Sequence, residues 1–402
     1  MNHKKKIAVI ADDFTGAAEI GGIGLRHGLN VVIETVPIDN KEADLLIIAT
    51  DTRSMDKHEA MRYIARVTKQ LMRCQPLFIF KKIDSVLRGN VAEELVAQMK
   101  VMHKNRSIII AANPVFNRIV KDGRYYIDDI PLDQTCFSND SQYPIRNADV
   151  LAILSSVENY PVVNLKPDDP LPDKGLVVGD VENMDDLGKW AVRFNESTLF
   201  AGASGIFDSL LLGLHLNNGV SKIQPAPFGK NALFVLGSSY PKDTLLLSQM
   251  IQCGHFLSNM PVEIYNQRDF SPGYLENWAN EVVAGIKKYN KVIVASMHGN
   301  SIETGLSFRI KQVMAELVKR VSSKVKLNEI LIEGGSTTSA ILEHMKIKKL
   351  FPVQELDTGV IRMNVDGIPD LYITTKPGSY LWPGNVWLPS EIERFYNMKI
   401  VV

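Results

Sequence analysis

The sequence predicts an α/β protein built of two α/β domains, each with a mostly parallel sheet flanked by helices. Three observations carry the prediction. Short β-branched runs alternate with longer segments of helical period along most of the chain, the pattern of strands buried on both faces and covered by crossover helices. Residues 217–230 (NNGVSKIQPAPFGK) interrupt it with a polar, aperiodic stretch holding two prolines and two glycines, which reads as a linker. The length of 402 residues suits two domains, or three, at about 150 residues each. The expected division is 1–222 and 223–402.

The elements follow in order. Ile7–Ala11 reads as a buried strand and Gly16–His27 as a helix ended by Gly28. Strands are expected at Val31–Val36, Leu45–Ala49, Leu77–Phe80 and Ile108–Ala112, with helices over Lys57–Arg73 and near Val91–His103. Residues 113–148 break the rhythm with polar, Gly and Pro positions, a long excursion that reads as a lid, a wall or a plain hairpin. The alternation resumes with strands at Leu176–Val178 and Leu199–Ala201, and helices around Met184–Phe194 and from Ser204 to about Leu216. Beyond the linker, strands are expected at Ala232–Leu236, Pro261–Tyr265, Val292–Ala295 and Glu329–Ile332. Helices are expected after Pro241, near Leu275–Lys288, over Thr304–Val321 and after Thr337, and the tail from Leu350 reads as strands and turns.

Composition narrows the function classes. With 45 Lys+Arg against 45 Asp+Glu, the chain lacks the basic excess that draws proteins to nucleic acid or anionic membranes, so neither is expected as a partner. Cys74, Cys136 and Cys253 are an odd, widely spaced set without C-x-x-C, which argues against a disulfide framework or cysteine zinc site and fits a reducing, cytoplasmic setting. Lys4, Lys5 and Lys6 precede an apolar run, but it stops at Asp12-Asp13, too short for a signal segment or a span.

Open α/β sheets bind ligands at strand C-termini. Asp12-Asp13-Phe14-Thr15-Gly16 follows the first strand, and its acids suit a polyhydroxylated or cationic group, or a plain helix N-cap. Asp51-Thr52-Arg53-Ser54 follows another strand; Arg53 suits a bidentate grip on a carboxylate, or an exposed charge. Lys81-Lys82-Ile83-Asp84-Ser85-Val86-Leu87-Arg88-Gly89-Asn90 crowds charges at a third strand end. Together they point to a small anionic, hydroxylated ligand. In the second half, Gly237-Ser238-Ser239 and Gly334-Gly335-Ser336-Thr337 are glycine turns between strand and helix, where free N–H groups meet phosphate oxygens. Walker A, H-E-x-x-H and G-x-S-x-G are absent, which lowers the P-loop, zinc-protease and α/β-hydrolase readings. His298, also at a strand end, reads as structural or exposed.

These segments, in this order, resemble the four-carbon acid sugar kinase family, the threonate, erythronate and ketotetronate kinases. The matching pieces are ADDFTGA at 11–17, DTRS at 51–54, KKIDSVLRGN at 81–90, P-x-F…GR…PL at 114–132, VLGSS at 235–239, EGGST at 333–337 and KPGS at 376–379. The resemblance implies that 1–222 binds a sugar acid, 223–402 binds ATP, and the active site lies in the interdomain cleft. It implies substrate contacts at Asp12, Asp13, Arg53, Lys81, Lys82, Asp84, Ser85 and Arg88, and nucleotide contacts at Ser238, Ser239, Gly334, Gly335, Ser336, Thr337 and Gly378. The expected reaction is ATP-dependent phosphorylation of the C4 hydroxyl of threonate, erythronate or 3-oxo-tetronate, with Mg²⁺ bridging the β- and γ-phosphates. Arg53 and Lys82 would hold the carboxylate, Asp12 and Asp84 the hydroxyls, with either acid as base. The rival readings are a non-catalytic sugar-acid sensor and a kinase for another chain length. A homodimer is compatible with the sequence, which names no metal ligand.

Overall fold

The computed structural model describes residues 6–37, 43–140, 143–154, 157, 159–216, 227–237, 244–296 and 305–386. The chain divides into two units, residues 1–222 and 223–402. Most of the expected linker lies outside the described residues, as do Ser238, Ser239 and His298.

The first unit opens with β1 (Ile7–Ala11), α1 (Phe14–Arg26), β2 (Val31–Glu34), β3 (Leu45–Ala49), α2 (Lys57–Arg73), β4 (Phe78–Lys82), α3 (Val91–Met102) and β5 (Arg106–Ile110). The excursion forms β6 (Arg118–Lys121), β7 (Arg124–Ile127) and β8 (Ile130–Pro131), a small antiparallel sheet. Then come α4 (Val150–Leu154), β9 (Val162–Leu165), β10 (Gly175–Gly179), α5 (Met184–Val192), β11 (Thr198–Gly202) and α6 (Ser204–Gly213). The main sheet of this unit runs β2-β3-β1-β4-β11-β5-β10-β9, and its pairs are parallel. Every side chain of β1 is buried, and each fully buried Val or Ile contributes about 1.5–3 kcal/mol. Edge strand β9, half-buried throughout, carries too little apolar pattern to stand out in the sequence.

Strand order locates the ligand crevice. From β1 the chain moves outward to β2, whereas from β4 it moves the opposite way to β5. Right-handed crossovers then put α1 and α3 on opposite faces, consistent with α1 packing on α6 and α3 on α2. The loops after β1 and β4 diverge, which leaves a crevice above the C-terminal ends of these neighbours.

The second unit contains β12 (Ala232–Leu236), α7 (Thr244–Gln252), β13 (Phe256–Asn259), α8 (Val262–Asn266), α9 (Pro272–Tyr289) and β14 (Lys291–Ala295). It continues with α10 (Leu306–Lys324), β15 (Glu329–Glu333), α11 (Gly335–His344), β16 (Lys349–Asp357), β17 (Val360–Val365) and β18 (Ile368–Lys376). Its strands run β13-β14-β12-β15-β18-β17-β16, with β16 and β17 antiparallel. The chain leaves β12 toward β13 and leaves β15 the other way toward β16, so a second divergence lies above the paired ends Leu236 and Glu333.

One expected strand is corrected. Pro261–Tyr265 is a short helix, α8, closed by Tyr265 N–H donating to the Pro261 carbonyl at 3.0 Å. The strand is the preceding Phe256–Asn259. Proline starts a helical turn readily and a ladder poorly, and a five-residue apolar alternation does not separate strand from helix. Helix α1 also starts two residues early, because Asp13 rather than Thr15 caps it.

Candidate active site

The loop after β1 brings two acids to the first crevice. Asp13 caps α1, accepting from Gly16 N–H at 2.8 Å and from the Thr15 hydroxyl at 2.6 Å. Burial pushes its carboxyl up, but the Arg53 and Lys82 charges and those two hydrogen bonds outweigh burial and hold it below the usual range. Asp12 points elsewhere. Its Oδ2 accepts from Arg53 Nε at 2.9 Å, while buried Oδ1 has no hydrogen-bond partner among the described residues.

Arg53 is supplied by the 3₁₀ turn Thr52–Ser54. Its guanidinium is shared among Asp12 (2.9 Å), Asp13 (3.2 Å) and Asp84 (3.4 Å). Burial opposes its charge, yet the three carboxylates raise its pKa well above the ordinary value. The Arg53 turn is seated by the loop after β4. Gly89 lies there at φ +87, where a Cβ would come 2.8 Å from Arg53 Cγ, so glycine serves both conformation and close approach. The Tyr143 hydroxyl donates to the Arg53 carbonyl at 2.5 Å.

Asp84 is fully engaged. Oδ2 accepts from Arg88 N–H at 3.0 Å and Nε at 2.9 Å, and Oδ1 accepts from Nη2 at 2.9 Å. Burial would raise its pKa, but Arg53 and Arg88 drive it far below the carboxylate range. Arg88 also reaches Asp140 at 2.8 Å. Ser85 accepts from Arg118 Nη1.

The two lysines of β4 part company. Lys82 Nζ donates to the Ile83 carbonyl at 2.9 Å and lies 3.5 Å from Glu19 of α1. Lys81 has no exposure and pairs with Glu94 of α3 at 2.7 Å. The expected substrate contact at Lys81 is therefore corrected: the side chain is sealed beneath the crevice and cannot touch a ligand. Burial pushes Glu94 up, only partly offset by Lys81. Sequence reading passes over Glu19, Glu94, Arg118, Asp140, Tyr143 and Ser204; Asn113 opens the excursion it marks as adding polar groups at this sheet edge. Glu19 accepts from Ser204 at 2.7 Å, and Ser204 from Asn113 at 3.1 Å, a chain that ties α1, α6 and the end of β5 together.

In the second unit Gly237, just beyond β12, neighbours the glycine turn that opens α11. A Cβ on Gly237 would stand 2.4 Å from Thr337 Oγ1. Gly334 donates its N–H to the Lys376 carbonyl at 2.9 Å, which ties the ends of β15 and β18. Gly335, Ser336 and Thr337 begin α11, whose first turn has no side-chain cap. An uncapped N-terminus with a glycine backbone at such close approach is suited to phosphate oxygens. Gly378 follows β18 in the turn closed by Tyr380 N–H on the Pro377 carbonyl at 3.1 Å. Lys376 and Glu333 pair at 3.1 Å on this rim; burial lowers the Lys376 pKa and Glu333 opposes the shift.

Fold and site define a protein of two α/β units, with a crevice lined by aspartates and basic side chains in the first and a glycine turn opening a helix beside Gly237 in the second. Comparisons give the family: a sugar-binding N-terminal domain matches residues 7–210, and a nucleotide-binding C-terminal domain matches 251–380. The chain belongs to the four-carbon acid sugar kinase family. It is 31% identical over 163 residues to a D-threonate kinase of Salmonella typhimurium, covering 39% of this chain and 38% of that one. It is 27% identical over 255 residues to a D-erythronate kinase of Heliobacterium modesticaldum, covering 58% of this chain and 57% of that one. These matches span about two-fifths and just over half of those relatives. A solved Salmonella typhimurium structure superposes with TM-score 0.74 at 18% identity, over 94% of this chain and 96% of that one, which is a likeness of fold. Among the described residues no helix is long and apolar enough to cross a membrane.

Proposed function

We propose that the chain is an ATP-dependent kinase that phosphorylates the C4 hydroxyl of a four-carbon sugar acid, threonate, erythronate or 3-oxo-tetronate. The observation that carries the reading is Asp12: a buried carboxylate at the crevice, held by Arg53 through one oxygen and carrying a second acceptor with no hydrogen-bond partner among the described residues. That oxygen is suited to accept the substrate hydroxyl's proton as the hydroxyl oxygen bonds to the γ-phosphorus and the bond to ADP breaks. Asp84 is the poorer base, since Arg88 occupies both of its oxygens and, with Arg53, drives its carboxyl far below the ordinary carboxylate range. Arg53 spaces the three aspartates, and Lys82 adds positive charge beside them.

ATP is assigned to Gly237 and to the Gly335–Thr337 first turn of α11, whose uncapped N-terminus suits its phosphates, with Ser238 and Ser239 next to Gly237 in sequence and Gly378 just beyond β18. Among the described residues no cluster of three or more His, Cys, Asp or Glu is placed to hold a metal; Mg²⁺ would enter with the nucleotide. When bound, it would neutralise developing phosphate charge.

A coupled ADP-release assay over threonate, erythronate and their oxo derivatives tests the reading. Turnover with one acid, abolished in Asp12→Asn, is expected. Acid binding by calorimetry with no ATP binding and no turnover would instead favour the sensor, and turnover confined to five- or six-carbon acids would move the substrate class.

A further inference from the structure

The cations at the first crevice are not equally available. Arg53 is surrounded by three aspartates, Arg88 is held by Asp84 and Asp140, Lys81 is sealed against Glu94, and Lys82 leans on Glu19. A ligand carboxylate approaching Arg53 would meet more negative than positive charge. Arg118 differs. It sits at the start of β6, where its backbone pairs with Asn113 just beyond β5, its N–H donating at 3.2 Å and its carbonyl accepting at 2.8 Å. The excursion is thereby folded back onto the C-terminal edge of the sheet. Its half-buried guanidinium donates to the Ser85 hydroxyl and lies 5.9 Å from the centre of the Phe137 ring. No carboxylate pairs with it among the described residues. Arg88 stacks on the same ring at 5.3 Å, so the two guanidiniums share an aromatic support while only one carries an acid partner.

We infer that Arg118, seated by Ser85 and Phe137, takes the carboxylate of the acid substrate and sets the preference for acids over neutral polyols. The inference rests on the kinase reading above and changes which residue performs the anion grip, from Arg53 to a residue of the excursion. A guanidinium with one hydrogen bond to a hydroxyl keeps other N–H donors for a planar, two-pronged contact. Asp12 would then engage hydroxyls farther along the same short molecule.

The test compares wild type, Arg118→Gln and Arg118→Lys with a four-carbon sugar acid and the matching tetritol, which carries CH₂OH in place of the carboxylate. Arg118→Gln keeps a donor for Ser85. The expected result is a KM for the acid raised about 10- to 100-fold, as loss of a charge-assisted contact implies, with kcat and the KM for ATP changed less than about threefold and the weak tetritol activity unaltered. Arg118→Lys should fall between the two, and should show the same acid-selective loss if the Gln variant folds poorly by thermal melting. An unchanged KM for the acid in both variants would overturn the role of Arg118 and leave the kinase reading standing. Equal loss for acid and tetritol would make Arg118 structural. Wild-type turnover of the tetritol as fast as the acid would overturn the sugar-acid reading itself, and this inference with it.

Discussion

Replacing Asp84 by Asn separates a carboxylate that braces the site from one that works in it. The Asn amide keeps one acceptor oxygen, so of the three Arg88 contacts at 3.0, 2.9 and 2.9 Å at least one is lost, and an NH₂ group is turned toward the guanidinium. Charge-assisted hydrogen bonds contribute about 1.5–3 kcal/mol each, and breaking a buried pair costs about 3–5 kcal/mol. Arg88 keeps Asp140, and Arg53 keeps Asp12 and Asp13, which pulls the expected loss down to about 2–4 kcal/mol. In a unit of this size that lowers Tm by roughly 5–15 °C. Asp12→Asn should do the opposite: the Asn oxygen still accepts from Arg53 Nε, so melting changes little, while turnover falls about 10²- to 10⁴-fold. Calorimetric melting and steady-state kinetics on both variants read the two effects. An Asp84→Asn protein that melts like wild type yet has lost turnover would refute the division of labour and make Asp84 the chemical group.

Three further outcomes are expected. Gly237→Val should weaken ATP binding about 5- to 100-fold while sparing sugar-acid affinity, because its Cβ would stand 2.4 Å from Thr337 Oγ1 and must displace the first turn of α11; titration calorimetry with each ligand checks this, and Thr337→Ala should recover part of the loss. Arg362, wholly buried between Tyr372 and Phe228 and paired with Glu329 at 2.5 Å, should cost about 3–5 kcal/mol in urea unfolding when changed to Met alone, and much less together with Glu329→Leu. His255 is pushed down to about 4 by burial and the Lys291 charge, against 6.5 ordinarily. Between those values the unfolded chain binds a proton that the folded one refuses, so stability falls as pH drops from 6.5 toward 4; the fall in urea midpoint should flatten in His255→Gln.

Much of the first unit was readable because its strands are short, β-branched and punctuated. Lys57–Arg73 has a cap at Asp56, a 3.6-residue apolar stripe and a basic last turn, and it forms as read. What periodicity cannot convey is lateral order. Nothing local in Ile7–Ala11 or Phe78–Lys82 says that these strands are neighbours with loops leaving in opposite directions, although that adjacency sets Asp12 beside Arg53 and Asp84. The same holds for Gly237 and Thr337, which are a hundred residues apart in sequence and touch because β12 pairs with β15. Polar loops at strand ends read either as ligand-facing or as plain caps and exposed charges; Arg53 and Arg88 show a third use, charges spent on acids of the same and neighbouring loops.

Lys81 and Lys82 show where closer reading would have sufficed. Consecutive residues of a strand face opposite sides of the sheet, so on a strand covered on both faces these two ammonium groups point into different helical layers. A buried ammonium is tolerable only beside a carboxylate. Each layer must therefore supply one acid on a face that is otherwise apolar. The candidates are visible in the sequence: Glu19 is the lone charge within FTGAAEIGGIGL, and Glu94 lies within a run of buried residues in α3. The structure pairs Lys82 with Glu19 at 3.5 Å and Lys81 with Glu94 at 2.7 Å. The Lys82 charge helps hold Asp13 ionised, whereas the Lys81 pair is sealed without exposure, with Glu94 close enough to Asp12 to feel its charge. Exchange of Lys81 and Glu94 for Met and Leu together should thus leave the KM for the acid within about threefold of wild type, since a buried ion pair replaced by apolar groups of similar volume is often neutral in energy. A tenfold rise in that KM, with melting unchanged, would place Lys81 among the groups that feel the substrate.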